Sequence, residues 1–262
     1  MMLGFERADA RLVLRFLRLG LRDRYLGSRI GMLWAVLNPL LMLGVFALVF
    51  GYIFRTRLPG SDSTFSYVVW LVAGYGPWLA VVESVTASAN SLVANAGIVK
   101  NVALKTEVLP LSASLFGIVP LLVSVAMLAV LLVVDGNPPT WHALSLFLVV
   151  PILFGLIAAI GLFLSAITAF ARDLAFALPN LLFLLMLGTP VLYPIESAPA
   201  ILQRISMFNP LYLLVEAFRT PLIRHEWPSF LALAYPALLA AFLGFAGLAI
   251  FRRMKGYFSA VL

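Results

Sequence analysis

Residues 22–54 read RDRYLGSRIGMLWAVLNPLLMLGVFALVFGYIF, a stretch that changes abruptly from dense basic charge to apolar residues. From residue 30 to residue 54 it carries no formal charge. A helix rises about 1.5 Å per residue, so about 20 apolar residues cross a hydrocarbon core of about 30 Å. The stretch therefore predicts a first membrane span at residues 30–54. Positive charge beside a first span favours the cytoplasm, so Arg22, Arg24 and Arg29 predict a cytoplasmic N-terminal flank.

The composition of the whole chain is that of a membrane protein. Hydrophobic residues make up 63% and charged residues only 11%, whereas about a quarter of a soluble domain is charged. The net charge of +7 flanks apolar windows, which indicates membrane topology rather than nucleic-acid binding. The chain has no cysteine, and His142 and His225 lie far apart without ligand spacing, so we expect no metal site. The N-terminus lacks the pattern of a cleaved signal peptide, so we expect the first span to be retained.

Further apolar windows predict an all-α polytopic fold with six spans. The remaining five windows are residues 63–88, 108–134, 142–170, 174–193 and 229–251. Residues 89–107 form the longest inner connection, and we assign them as a cytoplasmic coupling segment. Prolines divide residues 194–228 into pieces of about ten residues, each about 15 Å if helical, which is half a bilayer. We predict an external re-entrant hairpin there; the alternative is a surface loop with amphipathic helices.

Residues 1–29 contain arginines at helical spacing. Those that share one helical face are Arg7, Arg11, Arg15, Arg18 and Arg22. Apolar residues fall on the opposite face, which predicts an amphipathic helix in the headgroup plane. Its arginines would face lipid phosphate or an acidic protein, and a plain positive-inside anchor is the alternative.

The predicted topology agrees with the distribution of basic residues. Those placed inside are Arg7, Arg11, Arg15, Arg18, Arg22, Arg24, Arg29, Lys100, Lys105, Arg172, Arg252, Arg253 and Lys255. Those placed outside are Arg55, Arg57, Arg204, Arg219 and Arg224. This excess of inner charge predicts that both termini are cytoplasmic.

Three residues within the predicted spans are candidates for a functional or structural role. Glu83 would lie in the inner half of the second span, where a carboxylate is a functional candidate, although it could equally reach the inner surface. Asn38 and Pro39 would interrupt the first span and could kink it, because proline lacks the amide donor. The chain contains no Gly-rich phosphate loop, so any ATP-driven step needs another chain.

Several segments resemble a known family. The runs RYLGSRIGMLWAVLNPLLM, NAGIVKNVALKTEVLPL, FARDLAFALPNLLFLLMLGTPVLYPIESAP and ISMFNPLYLLVEAFRTPLI occur in this order. They resemble the membrane (permease) subunit of ABC type 2 exporters, in the branch that moves lipid-linked O-antigen, capsular polysaccharide or teichoic acid. The resemblance covers nearly the whole chain. One departure is Thr189-Pro190, where many members of the family have Ser-Pro.

The resemblance implies an assembly in the bacterial inner membrane. This subunit would form a homodimer and work with two copies of a separate ATPase, which binds ATP and Mg²⁺. The substrate would be a glycan on an undecaprenyl-type lipid, and it would pass between the two membrane subunits. This chain would hold no cofactor, metal or catalytic residue of its own.

The resemblance also implies where force enters the subunit. The family's docking helix falls at residues 94–104, its interface helix at 7–21, and its re-entrant helices at 198–208 and 211–223. The candidate residues for ATPase coupling or docking are Arg11, Arg15, Arg18, Arg22, Arg24, Asn95, Lys100, Asn101, Lys105, Arg172 and Asp173.

Aromatic residues are candidates for the substrate path. Their flat rings suit the C–H faces of pyranoses without tight binding of one sugar. The candidate channel or gate residues are Tyr25, Trp34, Tyr52, Tyr67, Trp70, Trp78, Tyr193 and Tyr212. The alternative is a belt of interfacial anchors, which Trp and Tyr at span ends commonly form.

Other functions would need features that the sequence does not display. The same fold would permit export of a drug or another lipid. A secondary transporter would need paired intramembrane charges and an internal repeat, and we find no convincing inverted repeat. A membrane-embedded enzyme would need an intramembrane cluster of acidic, Ser or His residues, which Glu83 alone does not supply.

Overall fold

The structure is a computed structural model that describes residues 6–24, 28–60, 63–102 and 104–262, except for the side chain of Ser259. Within these residues the secondary structure is helical and contains no strand. The α-helices, in chain order, are α1 Arg7–Asp23, α2 Trp34–Phe46, α3 Thr64–Ala94, α4 Ala96–Asn101, α5 Val108–Ala113, α6 Ile118–Val134, α7 Leu146–Phe170, α8 Asp173–Gly188, α9 Ala200–Ser206, α10 Pro210–Arg219 and α11 Phe230–Val261. The predicted all-α class is confirmed.

Five helical segments among the described residues are long and apolar enough to cross a membrane. They are Gly31–Ile53, Thr64–Ala94, Val108–Val134, Trp141–Phe170 and Phe230–Phe258. The fifth predicted span corresponds to α8, which has 16 residues. At about 1.5 Å per residue it measures about 24 Å, somewhat less than the hydrocarbon core. The protein is therefore a multi-pass membrane protein, and the total of six spans stays a prediction.

The first span is continuous at the predicted interruption. Helix α2 runs through Pro39, which is buried, and packs against α6. The predicted interruption at Asn38-Pro39 is therefore wrong, because neighbouring helices accommodate proline in a transmembrane segment. A kink at this position stays a prediction. The first span departs from α-helical geometry only after α2, in a π-helix at Ala47–Ile53. At the end of this π-helix the Phe54 N–H donates to the Val49 carbonyl at 2.8 Å.

Helix α3 is the centre of the bundle. Buried residues cover 72% of its most apolar window, against 17% for the first span, and it packs against α5, α6, α7, α8 and α10. Two glycines bring other helices unusually close to it. The Gly117 N–H donates to Ser84 Oγ at 2.8 Å, and a Cβ at Gly161 would collide with Ser88. Side chains on nearly every face of α3 are consequently enclosed by protein.

One end of the bundle, here called the basic end, is formed by α1, α4, the last turns of α11 and the turn before α8. The predicted sixth span ended at residue 251, but α11 continues to Val261. The physical reason is a second apolar cluster, in which Phe251 and Phe258 are fully buried. Residues beyond the arginines of α11 therefore remain docked as helix.

The opposite end, here called the hairpin end, carries residues 194–228 and the turn after α6. Helix α10 starts at Pro210, and Asn209 Oδ1 accepts hydrogen bonds from the backbone of Leu211 and Tyr212. The first predicted half-helix, residues 198–208, is shorter in the structure, as α9. The second, residues 211–223, is helical throughout, because α10 continues directly into a π-helix at Thr220–Arg224. Helix α10 packs against α3, α7 and α11 with several buried residues. That this segment re-enters the membrane stays a prediction.

Candidate functional site at the basic end

The predicted basic helix forms α1, and its arginine face points away from the bundle. Arg7, Arg11, Arg15, Arg18 and Arg22 are all exposed. The first turn is fixed by Asp9, whose carboxylate accepts from the Glu6 N–H at 2.7 Å and from Lys105 Nζ at 2.7 Å. The hydrogen bond from Glu6, and then the Lys105 ammonium, hold the pKa of Asp9 below its usual range. Lys105 therefore joins the coupling segment to α1.

The apolar side of α1 packs on the bundle along α5. Phe16 contacts the second apolar cluster. Gly20 lies against the ring of Phe116, and a Cβ there would collide with the ring. No described residue of α1 is fully buried, so the helix is docked on the bundle surface and not inserted into it.

A cavity of about 720 Å³ lies between α1, α3, α5 and α8. Its lining combines polar side chains with the apolar side of α1. The polar and charged lining residues are Asp23, Arg24, Glu83, Thr86, Asn90, Ser91, Asn95 and Ser112. A cavity of this size with so many hydroxyl and amide groups can hold water or a hydroxyl-rich ligand.

The ion pair between Arg24 and Glu83 lies in the wall of this cavity. A second contact joins Arg24 Nη2 to Glu83 Oε2 at 3.1 Å. The Arg24 side chain is 43% exposed and the Glu83 side chain 25% exposed. A further small cavity beside this pair is also lined by Asn38 and Pro39. The pair therefore lies where the basic helix, the first span and α3 meet.

The coupling segment is held to two other elements. Helix α4 is short and presents Lys100 and Asn101 to solvent. After it, Glu107 is only 3% exposed and accepts from Arg252 Nε of α11 at 3.2 Å. Together with the Lys105 contact, these pairs connect the segment to α1 on one side and to α11 on the other.

The remaining predicted docking residues divide between two places. Asn95 caps α3, donates to the Ser91 carbonyl at 2.8 Å and lines the Arg24 cavity. Arg172 and Asp173 are exposed at the start of α8, where Arg172 Nη2 contacts the Leu262 carbonyl at 3.4 Å. The structure therefore brings Arg24 and Asn95 to one cavity and leaves the Arg172 turn outside it.

The aromatic candidates are not on one surface. Tyr67 is 0% exposed and Trp78 is 1% exposed, so their own chain encloses both side chains. Their role in a substrate path stays a prediction. Tyr52 is 77% exposed, whereas Trp34 is half-buried. Tyr25 lies outside the described residues.

The other three aromatic candidates lie at the hairpin end. Trp70, Tyr193 and Tyr212 are half-buried. Tyr193 Oη donates to the Leu187 carbonyl at 2.7 Å. The guanidinium of Arg219 covers the face of the Trp70 ring. These three aromatic side chains therefore do not form a common surface in this chain.

Sequence reasoning missed the role of Arg219, which it placed among the outer charges. Arg219 is 2% exposed, donates to the Val191 carbonyl at 2.6 Å and to Glu216 at 2.7 Å, and lies 3.6 Å above the Trp70 ring. It ties α10 to the turn after α8. The spacing of Glu216 and Arg219 on one helical face was the available signal.

The two histidines, far apart in sequence, meet at the hairpin end. Thr140 Oγ1 lies 3.0 Å from His142 Nδ1 and 3.2 Å from His225 Nδ1. His225 Nε2 lies 2.5 Å from Asn137 Oδ1. No group of three or more His, Cys, Asp or Glu side chains that could hold a metal occurs in the described part of the chain.

Residues 13–223 match the family described as ABC-2 type transporter. The chain belongs to this family. ABC-2 membrane subunits are transport components whose ATPase is a separate subunit. The two cavities and the exposed α1 and α4 are thus features of an ABC-2 membrane subunit.

Known relatives in this family match along almost their whole length. The O-antigen export system permease protein RfbA of Myxococcus xanthus is 29% identical over 244 residues, covering 91% of this chain and 90% of the relative. A Klebsiella pneumoniae protein with the same name is 28% identical over 249 residues, covering 92% and 91%. The polysialic acid transport protein KpsM of Escherichia coli is 26% identical over 250 residues, covering 95% of each.

Proposed function

We propose that this chain is the membrane subunit of an ATP-driven exporter of a lipid-linked polysaccharide of the O-antigen, capsule or teichoic acid type. The observation that carries the proposal is the end-to-end similarity to O-antigen export permeases and a polysialic acid transport protein. The protein would lie in the bacterial inner membrane with its basic end in the cytoplasm. The excess of lysine and arginine at that end supports this orientation.

The subunit would act as a homodimer with two ATPase subunits, which supply ATP and Mg²⁺ binding. Only 17% of the most apolar window of the first span is buried within this chain. Large exposed apolar residues continue on α8, among them Phe176, Phe183 and Leu184. These faces suit either lipid or a second copy, and a substrate channel would lie between the copies, with the hairpin re-entering from outside.

The contacts at the basic end support a route for force. The exposed α4 would dock on the ATPase, and Lys105 would pass its displacement to Asp9 at the start of α1. At the other end of α1, Arg24 would pass it to Glu83 and to the first span beside it. The polar cavity between these contacts would then change its shape with each ATPase cycle.

The test is purification of the chain together with the ATPase encoded beside it, followed by reconstitution in lipid. Addition of lipid-linked O-antigen or capsule chains should raise ATP hydrolysis and move glycan across the bilayer. Stimulation by a drug or by a lipid without glycan, with no response to these chains, would assign the protein to another ABC-2 substrate. Transport that proceeds without any ATPase would refute the mechanism itself.

A further inference from the structure

A third cavity, here called the inner groove, opens on the other side of α1. It has a volume of about 750 Å³ and lies between α1, α7 and α11. Its floor is made of small residues on α7 and α11, including Gly155, Ala158, Ala241 and Gly244. Apart from Glu6 at one edge, the side chains that line it are apolar. Such a floor offers no hydrogen-bonding side chain to a sugar or a peptide.

The inner groove is about as long as one leaflet is deep. On α11 it runs from Ala240 to Leu248, close to the charged residues that follow Phe251. Eight residues of helix correspond to about 12 Å, whereas half a hydrocarbon core is about 15 Å. Phe245, which lines the groove, is 58% exposed, and Phe242 beside it on α11 is 69% exposed. The groove therefore opens beside exposed apolar side chains and ends near the basic end.

Cationic side chains flank its polar mouth. Ala10 and Leu14 line the groove from α1. Arg7, Arg11 and Arg18 lie three or four residues from them, which places these side chains on the adjacent strip of the same helix, and all three are exposed. The acidic groups nearby are Glu6 and Asp9, and Asp9 is paired with Lys105.

We propose that the inner groove binds one acyl chain of an anionic phospholipid from the leaflet at the basic end, with the lipid phosphate held by the arginine face of α1. A flexible hydrocarbon chain fits an apolar groove of leaflet depth, and the arginines select a negative headgroup. Basic pockets between transmembrane helices bind anionic headgroups in this way. The proposal does not depend on which substrate the protein exports.

Native mass spectrometry of the full-length chain with added lipid tests the proposal. The probes are palmitoyl-oleoyl phosphatidylglycerol and the zwitterionic phosphatidylcholine with the same acyl chains. The wild-type chain should retain phosphatidylglycerol preferentially. Substitution Ala241→Phe fills the groove and should abolish this preference, whereas Ala126→Phe, at an exposed alanine of α6, should preserve it.

The headgroup contact is tested by replacing Arg7, Arg11 and Arg18 together with Gln. Each arginine near an anionic lipid contributes about fivefold in affinity, so the triple variant should bind phosphatidylglycerol about a hundredfold more weakly. The charge-matched control replaces Arg55, Arg204 and Arg224 at the hairpin end with Gln, and it should keep wild-type affinity.

Three results would overturn the proposal. The first is equal retention of the two lipids by the wild-type chain, and the second is unchanged binding in Ala241→Phe. If that variant unfolds, Ala241→Leu is judged by the same criterion. The third is efficient crosslinking of Ala241→Cys to a second copy in native membranes, which would make the groove an interface between copies. The chain has no other cysteine, so this crosslink is unambiguous.

Discussion

Loss of the Arg24 guanidinium should destabilise the protein more than loss of the Glu83 carboxylate. In Arg24→Gln, Glu83 keeps its charge while its side chain is only 25% exposed. In Glu83→Gln, Arg24 is 43% exposed and can turn toward water. Exposed pairs contribute about 0.2–1 kcal/mol, and breaking a fully buried pair costs about 3–5 kcal/mol. This intermediate site should therefore lose about 1–2 kcal/mol in Arg24→Gln and about 0.5–1 kcal/mol in Glu83→Gln.

The assay is thermal unfolding of the purified chain in one fixed lipid and detergent mixture. For a chain of this size, 1 kcal/mol shifts Tm by about 2–4 °C, so Arg24→Gln should lower Tm by about 2–8 °C. The double variant should resemble Glu83→Gln, because it leaves no uncompensated carboxylate. The control Arg22→Gln, at an exposed arginine of α1, should stay within about 0.5 kcal/mol of wild type. Additive single effects, or equal losses in the two single variants, would refute the reasoning.

Three further predictions concern other parts of the molecule. Cysteines at Ser197 and Ser229 should both react with an impermeant thiol reagent in intact cells, after outer-membrane permeabilisation if such a membrane is present; reaction of only one would disprove the external hairpin. Substitution Lys100→Glu should reduce co-purification of the ATPase without changing Tm, because Lys100 is exposed on α4; full recovery of the complex would exclude docking there. Asp9→Asn should lower Tm near neutral pH, because the charged Asp9 carboxylate stabilises the fold. The difference in Tm between variant and wild type should vanish as pH falls through the ordinary pKa of 3.8 and then through the lowered pKa of the folded state, where the carboxylate becomes protonated. A difference in Tm that persists in acid would show that Lys105 does not act through this charge.

The sequence predicted the apolar helices because a charge-free window of sufficient length has few alternatives in a membrane. The basic helix was predictable from local sequence as well. Arginines at steps of three or four residues share one face of a helix, and this holds without knowledge of what that face contacts. The lengths of α8 and α11 were less predictable. Apolar composition continues past Gly188 although the helix ends there, and Phe258 keeps α11 docked beyond a cluster of arginines.

The contacts that define the candidate site were not predictable from local patterns. Glu83 and Arg24 are 59 residues apart, and no spacing rule relates a carboxylate in a predicted span to one particular arginine among many. The same applies to His142 and His225, which both lie within hydrogen-bond distance of Thr140 although 83 residues separate them in the sequence. Trp78 illustrates the reverse case, because an aromatic residue on a span can face core, lipid or substrate, and only the packing around α3 decides this.

The tight contacts of α3 with Gly117 and Gly161 give this helix the geometry of a lever. Ser84 and Ser88, at which those contacts occur, would serve as its fulcrum. The arm toward Asn95 measures about 13 Å and the arm toward Tyr67 about 28 Å, at about 1.5 Å per residue. Tyr67 Oη donates to the Leu192 carbonyl at 2.6 Å, in the turn that Arg219 also holds. A rocking of α3 that starts at the basic end would therefore arrive at the hairpin end with its amplitude roughly doubled.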